Sequence, residues 1–237
     1  MFTSSFRALS TIGLPGLGGL VPVTSGLVLR LDANAVTGTS SGAQLGTWND
    51  TSGLNNHAVR QAGSSAGFPA YFTGAVNGKP VIRFNSANGN TGDFFRFTRI
   101  TNIRTVFWVI KETVANNRFL LGDNSSYDFH RGIDVNAAKL WDLRYASANI
   151  QAGVTKLMGT VVNGTTTNLP TGSFQLVSLV TTGNVNADQI CQDRSFNGSW
   201  QGDIAEILIY DRALNVVEEN VVGAFLAAKY ALTTLYT

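Results

Sequence analysis

Enzyme chemistry needs carboxylates, imidazoles or thiols brought together, and this sequence offers few of them. Among its 237 residues, 15 are acidic, two are histidine (His57 and His130) and one is cysteine (Cys191). Cleaving a glycosidic bond takes two carboxylates on one face. The nearest candidate pair is in Asp203-Ile204-Ala205-Glu206. Three residues apart in a strand, these side chains are expected on opposite faces. No other alternating acidic run exists, so a polysaccharide hydrolase is the disfavoured reading. A thiol nucleophile needs a histidine beside it, and neither His57 nor His130 sits in a nucleophile signature. Cys191 therefore reads as a small buried hydrophobe, and a single cysteine excludes an internal disulfide. The chain is read as not an enzyme.

Binding chemistry has better material. A sugar is held by a flat aromatic ring under its C–H face and by amides or carboxylates on its hydroxyls. The segment Asp123-Asn124-Ser125-Ser126-Tyr127-Asp128 supplies both in one polar loop, and Arg131, Trp141 and Asp142 follow in strand-like stretches. Asp123, Asn124, Tyr127, Asp128, Arg131, Trp141 and Asp142 are the candidate carbohydrate-binding residues. Trp141 reads equally as core, since aromatics dominate cores and sites alike. Trp48 and Trp108 read as core, and Trp200 as the cover of a turn.

Such residues need a scaffold. Hydrophobic residues make up 44% of the chain and charged ones 14%, with 25 glycines. That charge content is well below the usual share of about a quarter. Val, Ile, Thr and Phe runs separated by Gly, Asn and Ser describe strands and turns. Strands are expected at 27–31, 45–48, 80–84, 104–110, 119–121, 140–145, 154–162, 174–180 and 204–210. Asn77-Gly78 is a hairpin turn signal before the third of these. One helix is expected, over 214–230, with Leu214, Val217, Val221, Val222, Phe225, Leu226 and Tyr230 at spacings of three and four. Asn215 and Glu218 form a capping-box pair at its start.

The net charge is +2 and the basic residues are scattered, which leaves no footprint for nucleic acid. Arg96, Arg99 and Arg104 are the densest group; Arg96 and Arg99 flank a strand-like stretch and read as solvated side chains at a sheet edge. Residues 1–25 differ from the rest and are expected as an extended N-terminal arm. Gly13, Pro15, Gly16, Gly18, Gly19 and Pro22 interrupt their apolar run, which argues against a signal-peptide core and against a bilayer crossing. An apolar arm left in water is a liability, so Phe2, Phe6, Leu9, Ile12, Leu14, Leu17 and Leu20 are expected to pack on the domain or on a neighbouring subunit. The domain itself is expected over 26–237.

Three stretches carry a family resemblance: Gly26 to Asp32 followed by Trp48 to Ala58, Val76 to Phe84, and Gly202 to Leu214 with its Tyr210-Asp211-Arg212-Ala213-Leu214 turn and following helix. Together they resemble the concanavalin-A-like lectin/glucanase superfamily in its laminin-G-like branch, over residues 26–231. The resemblance implies an all-β, two-sheet antiparallel jelly-roll sandwich with one C-terminal amphipathic helix. It implies no particular activity. Many laminin-G-like relatives bind calcium through an Asp at the position held here by Ala205. Asp32, Asp50 and Glu206 are the remaining candidate ligands, but calcium needs several oxygens. Asp50 reads instead as the head of an Asx turn and Glu206 as a partner of loop backbone. No cofactor is expected, and calcium is disfavoured.

Three functions follow as expectations. The first is a bacteriophage virion component (head decoration, fibre or tail protein), motivated by a stand-alone domain, no credible signal peptide and an arm that seeks a partner. The arm would join other virion or self subunits into a homo-oligomer, with no nucleic acid and no membrane as partner. The second, compatible with it, is a carbohydrate-binding module for cell-surface polysaccharide, acting on a particle or as an extracellular or cell-surface protein. The third is the disfavoured hydrolase.

Overall fold

The structure is a computed structural model that describes residues 21–60, 68–85, 93–115, 119–131, 139–192, 194 and 200–236. The strands are β1 (Leu27–Asp32), β2 (Thr47–Trp48), β3 (Ala58–Val59), β4 (Ala70–Val76), β5 (Lys79–Phe84), β6 (Phe95–Glu112) and β7 (Leu121–Gly122). After the short helix α1 (Ala148–Gln151) come β8 (Val154–Leu157), β9 (Thr160–Val162), β10 (Gln175–Ile190) and β11 (Gly202–Tyr210), then helix α2 (Val216–Tyr230). All eleven strands join one sheet, and its main path runs β4-β5-β11-β6-β10-β8-β9. Every strand pairing in it is antiparallel. Two tight hairpins set registers: Asn77-Gly78, both at positive φ, and Met158-Gly159, likewise.

Alternation along the central strands divides the interior in two. Val106, Trp108, Ile110, Ile204, Ile207 and Ile209 face the larger core, with Trp48, Phe95, Phe129, Trp141 and Trp200. Phe107, Val109, Ala205, Leu208 and Tyr210 face the smaller one, which α2 closes with Val222, Leu226 and Tyr230. Register shifts interrupt the β6–β10 ladder between Val180 and Val185 and again towards Gln189. Bulges of this kind bend a strand pair. Both halves of β6, through Phe95, Phe97 and Ile100 as well as Trp108 and Ile110, line the larger core. The result is a β-rich, sandwich-like body with a helix on one face.

Several expectations change. The alternating stretch 140–145 is turns rather than a strand, because Asp142 turns the chain by accepting hydrogen bonds from the amides of Arg144 and Tyr145. Trp200 is fully buried and donates to Glu112, so it is core. Arg96, Arg99 and Arg104 lie within β6, where β10 runs alongside and β3 meets Arg96, while the pairing with β11 starts only at Thr105; Arg99, its side chain 40% exposed, pairs with Asp123. Arg104 donates to the Thr181 carbonyl. A second helix, α1, joins the expected one. In α2 the capping box forms as read, with Asn215 and Glu218 exchanging two hydrogen bonds. The expected apolar face splits, however: Val222, Leu226 and Tyr230 are buried while Val217 stays 71% exposed and Val221 42%. Val221 stands about 100° round the helix from Val222, beyond the sheet's reach.

The C-terminal residues fold back between α2 and the sheet. Tyr236 donates to Ser178 and the Leu235 amide donates to the Met158 carbonyl. Tyr236 fits because Gly223 has no Cβ, which would overlap the ring. Gly223→Ala is expected to destabilise the fold by about 1–2 kcal/mol, the overpacking cost less the gain in helix propensity. Urea unfolding should show a lower midpoint at unchanged slope.

Candidate functional site

The loop after β7 gathers four of the seven predicted binding residues. Asp123 follows β7 and is buried. Its carboxylate accepts from Arg99 Nε at 2.7 Å and from the amides of Ser125 and Ser126, which shapes the loop. Burial pushes the Asp123 carboxyl up, but Arg99 and the two amides outweigh it and hold the pKa below the ordinary 3.8. Asn124 is exposed; its amide donates to Asp188 and its side chain accepts from Arg96. Asp128 accepts from the backbone and side-chain nitrogens of Asn186 at 2.7 and 2.8 Å. Tyr127 is half-buried and faces Tyr145, with ring centroids 6.4 Å apart, over His130.

Asp142 builds the neighbouring turn, and its backbone hydrogen bonds bring Tyr145 and Arg144 to this rim. Arg144 lies over the Tyr145 ring and Arg194 over the Tyr127 ring, 3.8 Å from its centroid. Tyr145 is 48% exposed. The arrangement can offer the exposed part of the Tyr145 ring beside the guanidinium donors of Arg144 and Arg194. Tyr145 and Arg144 escape the sequence reading because the alternation over 140–145 reads as a strand, and Arg194 because its place over Tyr127, 67 residues away, leaves no local signal.

Arg131 and Trp141 lie elsewhere. Arg131 is fully buried and pairs with the equally buried Glu112 at 2.9 Å. Burial raises the Glu112 carboxyl above its ordinary value, with Arg131 opposing. Trp141 packs against Trp108 and Phe129 and donates to Thr155 at 2.9 Å, so of its two readings the core one holds. Phe2, Phe6, Leu9, Ile12, Leu14, Leu17 and Leu20 lie outside the described residues.

The acids of β11 require a correction. The ladder with β6 pairs Asp203 with Lys111 and Glu206 with Val109, slipping one residue between Ile204 and Glu206. Lys111 and Val109 are two apart on β6, so Asp203 and Glu206 share a face rather than opposing each other. Each is already engaged. Asp203 meets Arg83 at 2.7 Å and Lys111 at 2.9 Å. Glu206 meets Arg30 at 2.8 Å, Lys229 at 2.7 Å and the Tyr230 hydroxyl at 2.9 Å, side-chain partners rather than the expected loop backbone. Lys229 Nζ also lies 2.6 Å from Asp32, so an ammonium stands between the two carboxylates considered for calcium. The third, Asp50, spends its oxygens on the amides of Arg30, Ser52 and Asn56. Among the described residues no group of three or more His, Cys, Asp or Glu side chains is placed to hold a metal.

The Cys191 thiol is fully buried. Burial, helped by Asp93 and opposed by Arg131, raises it well above the ordinary 9.0, away from the thiolate a nucleophile needs. His57 Nδ1 accepts from the Asp50 amide. Among the described residues no helix is long and apolar enough to cross a membrane.

Two predictions follow from these ion pairs. Lys229→Met leaves two buried carboxylates with one cation fewer and should cost about 3–5 kcal/mol in chemical denaturation; adding Glu206→Gln should recover part of the loss. The Asp123 pKa is lowered on folding, so its stabilisation is full above the unfolded value and fades as pH falls through the folded one. Asp123→Asn should therefore lower the melting temperature at pH 7, and the difference from wild type should shrink as the pH drops below 3.8.

Compared with known proteins, the chain matches no family model and no curated protein sequence.

Proposed function

We propose that this chain is a non-catalytic adhesive domain, a laminin-G-like jelly roll that binds surface polysaccharide at the rim formed by Tyr127 and Tyr145. The observation that carries the reading is the exposed Tyr145 beside Tyr127, with Arg144 and Arg194 over their rings and the exposed Asn124 in the same loop as Tyr127. The buried acids support the non-catalytic half, since Asp203, Glu206 and Glu112 each face a cation inside the fold. The two halves of β6 lining one core support the jelly-roll reading. The setting we propose is the surface of a bacteriophage particle, with residues 1–20 joining copies of the chain. That part rests on the apolar, Gly- and Pro-interrupted composition of the segment.

The test is binding of the purified chain to a panel of immobilised bacterial surface polysaccharides. At least one should bind, and Tyr145→Ala should weaken it about tenfold, or ~1.4 kcal/mol, at an unchanged melting temperature. Silence across the panel overturns the glycan reading. Binding that ignores Tyr145→Ala and Arg194→Ala moves the site elsewhere on the body.

A further inference from the structure

Helix α2 has an apolar face that the fold leaves uncovered. Val217 and Val221 are 71% and 42% exposed, Val216 adjoins them at 68%, and Ala228 continues the line two turns on. A helix lying on a sheet normally turns a polar face outward. Here the inner face is already filled by Val222, Leu226 and Tyr230, and the valines stay exposed on the described body. A contiguous apolar strip of this kind marks an interaction surface.

The chain itself contains a segment of matching chemistry. Residues 1–20 lie outside the described residues, and Phe2, Phe6, Leu9 and Ile12 recur at spacings of four, three and three, the spacing that lines one face of a helix. The described chain begins at Val21, which is buried in the same cluster as α2. There it is fixed by hydrogen bonds from Tyr210 to the Val23 carbonyl and from Arg212 to the Ser25 carbonyl. Between Ile12 and Val21 stand eight residues, five of them Gly or Pro. Extended, they span up to about 26 Å. Helix α2, with 15 residues, is about 22 Å long. The tether can thus carry Phe2 to Ile12 past the end of its own α2.

We propose that the outer face of α2, along Val217, Val221 and Ala228, is the docking surface for Phe2 to Ile12 of a second copy of this chain. The inference rests on the reading of residues 1–20 as an assembly segment and adds the surface that receives it. Covering the apolar strip of α2 with apolar side chains removes both from water. An arm exchanged between identical subunits is also a low-cost route to a closed oligomer.

The full chain tests this. Light scattering should give a mass of two or more copies. Val217→Asp with Val221→Asp should reduce it to one copy, with circular dichroism and melting temperature unchanged because both side chains are exposed. A second variant, Leu9→Cys with Val221→Cys, should form on oxidation a cross-link between chains, seen as twice the chain mass under denaturing conditions. The native Cys191 is buried and does not compete. A cross-link within one chain overturns the exchange, and an oligomer without any cross-link, or one that survives both aspartates, overturns α2 as the receiving surface. A monomeric full chain overturns the assembly reading as well.

Discussion

Strand β11 is buried along its whole length, yet it carries Asp203 and Glu206. A buried carboxylate is tolerable only when opposite charge and hydrogen bonds meet it. Each neighbouring element answers with a side chain: Arg30 from β1, Arg83 from β5, Lys111 from β6, and Lys229 and Tyr230 from α2. Most of the architecture is tied through these two acids. They fix which strand lies on which side of β11 and how far along the sheet α2 comes to rest. Apolar packing supplies the driving force, but greasy surfaces slide more readily than ion pairs with 2.7 Å geometry. The acids thus do the work of registration, a role attested for buried polar groups elsewhere.

How much of this the sequence reveals depends on whether a property is local. The α2 capping box needs only Asn215 and Glu218, three residues apart, and it reads correctly. The Asn77-Gly78 hairpin, the placement of Trp48 and Trp108 and the burial of Cys191 are legible for the same reason. The shared face of Asp203 and Glu206 is not, because a single slip at Ala205 reverses the parity that strand alternation assumes. That slip comes from pairing with β6, nearly a hundred residues away. Arg131 reads as a binding residue and Trp200 as the cover of a turn until Glu112 is seen between them. The exposed side of α2 escapes because Val217 and Val221 satisfy helical spacing whichever face meets the sheet.

The rim proposed for binding is built differently. Its shape comes from short-range hydrogen bonds, with Asp123 holding the amides of Ser125 and Ser126 and Asp142 those of Arg144 and Tyr145. These turns stand on β6 and β10, whose registers are set by core packing. Side chains at the rim can vary without disturbing the ion pairs of β11, because the two sets share no residue.

The pairing of β1 with β11 has a consequence for how the molecule comes into being. Arg30 and Glu206 are 176 residues apart in sequence, so the first strand waits for one of the last. At about 5–20 residues per second, a ribosome takes some 10–35 s to deliver that partner. Throughout this interval Leu29 and Leu31, which end in the larger core, belong to an unfinished chain. Folding dominated by such distant pairings is slow, and the nascent protein passes through a window in which chaperones and stray strand edges compete for it.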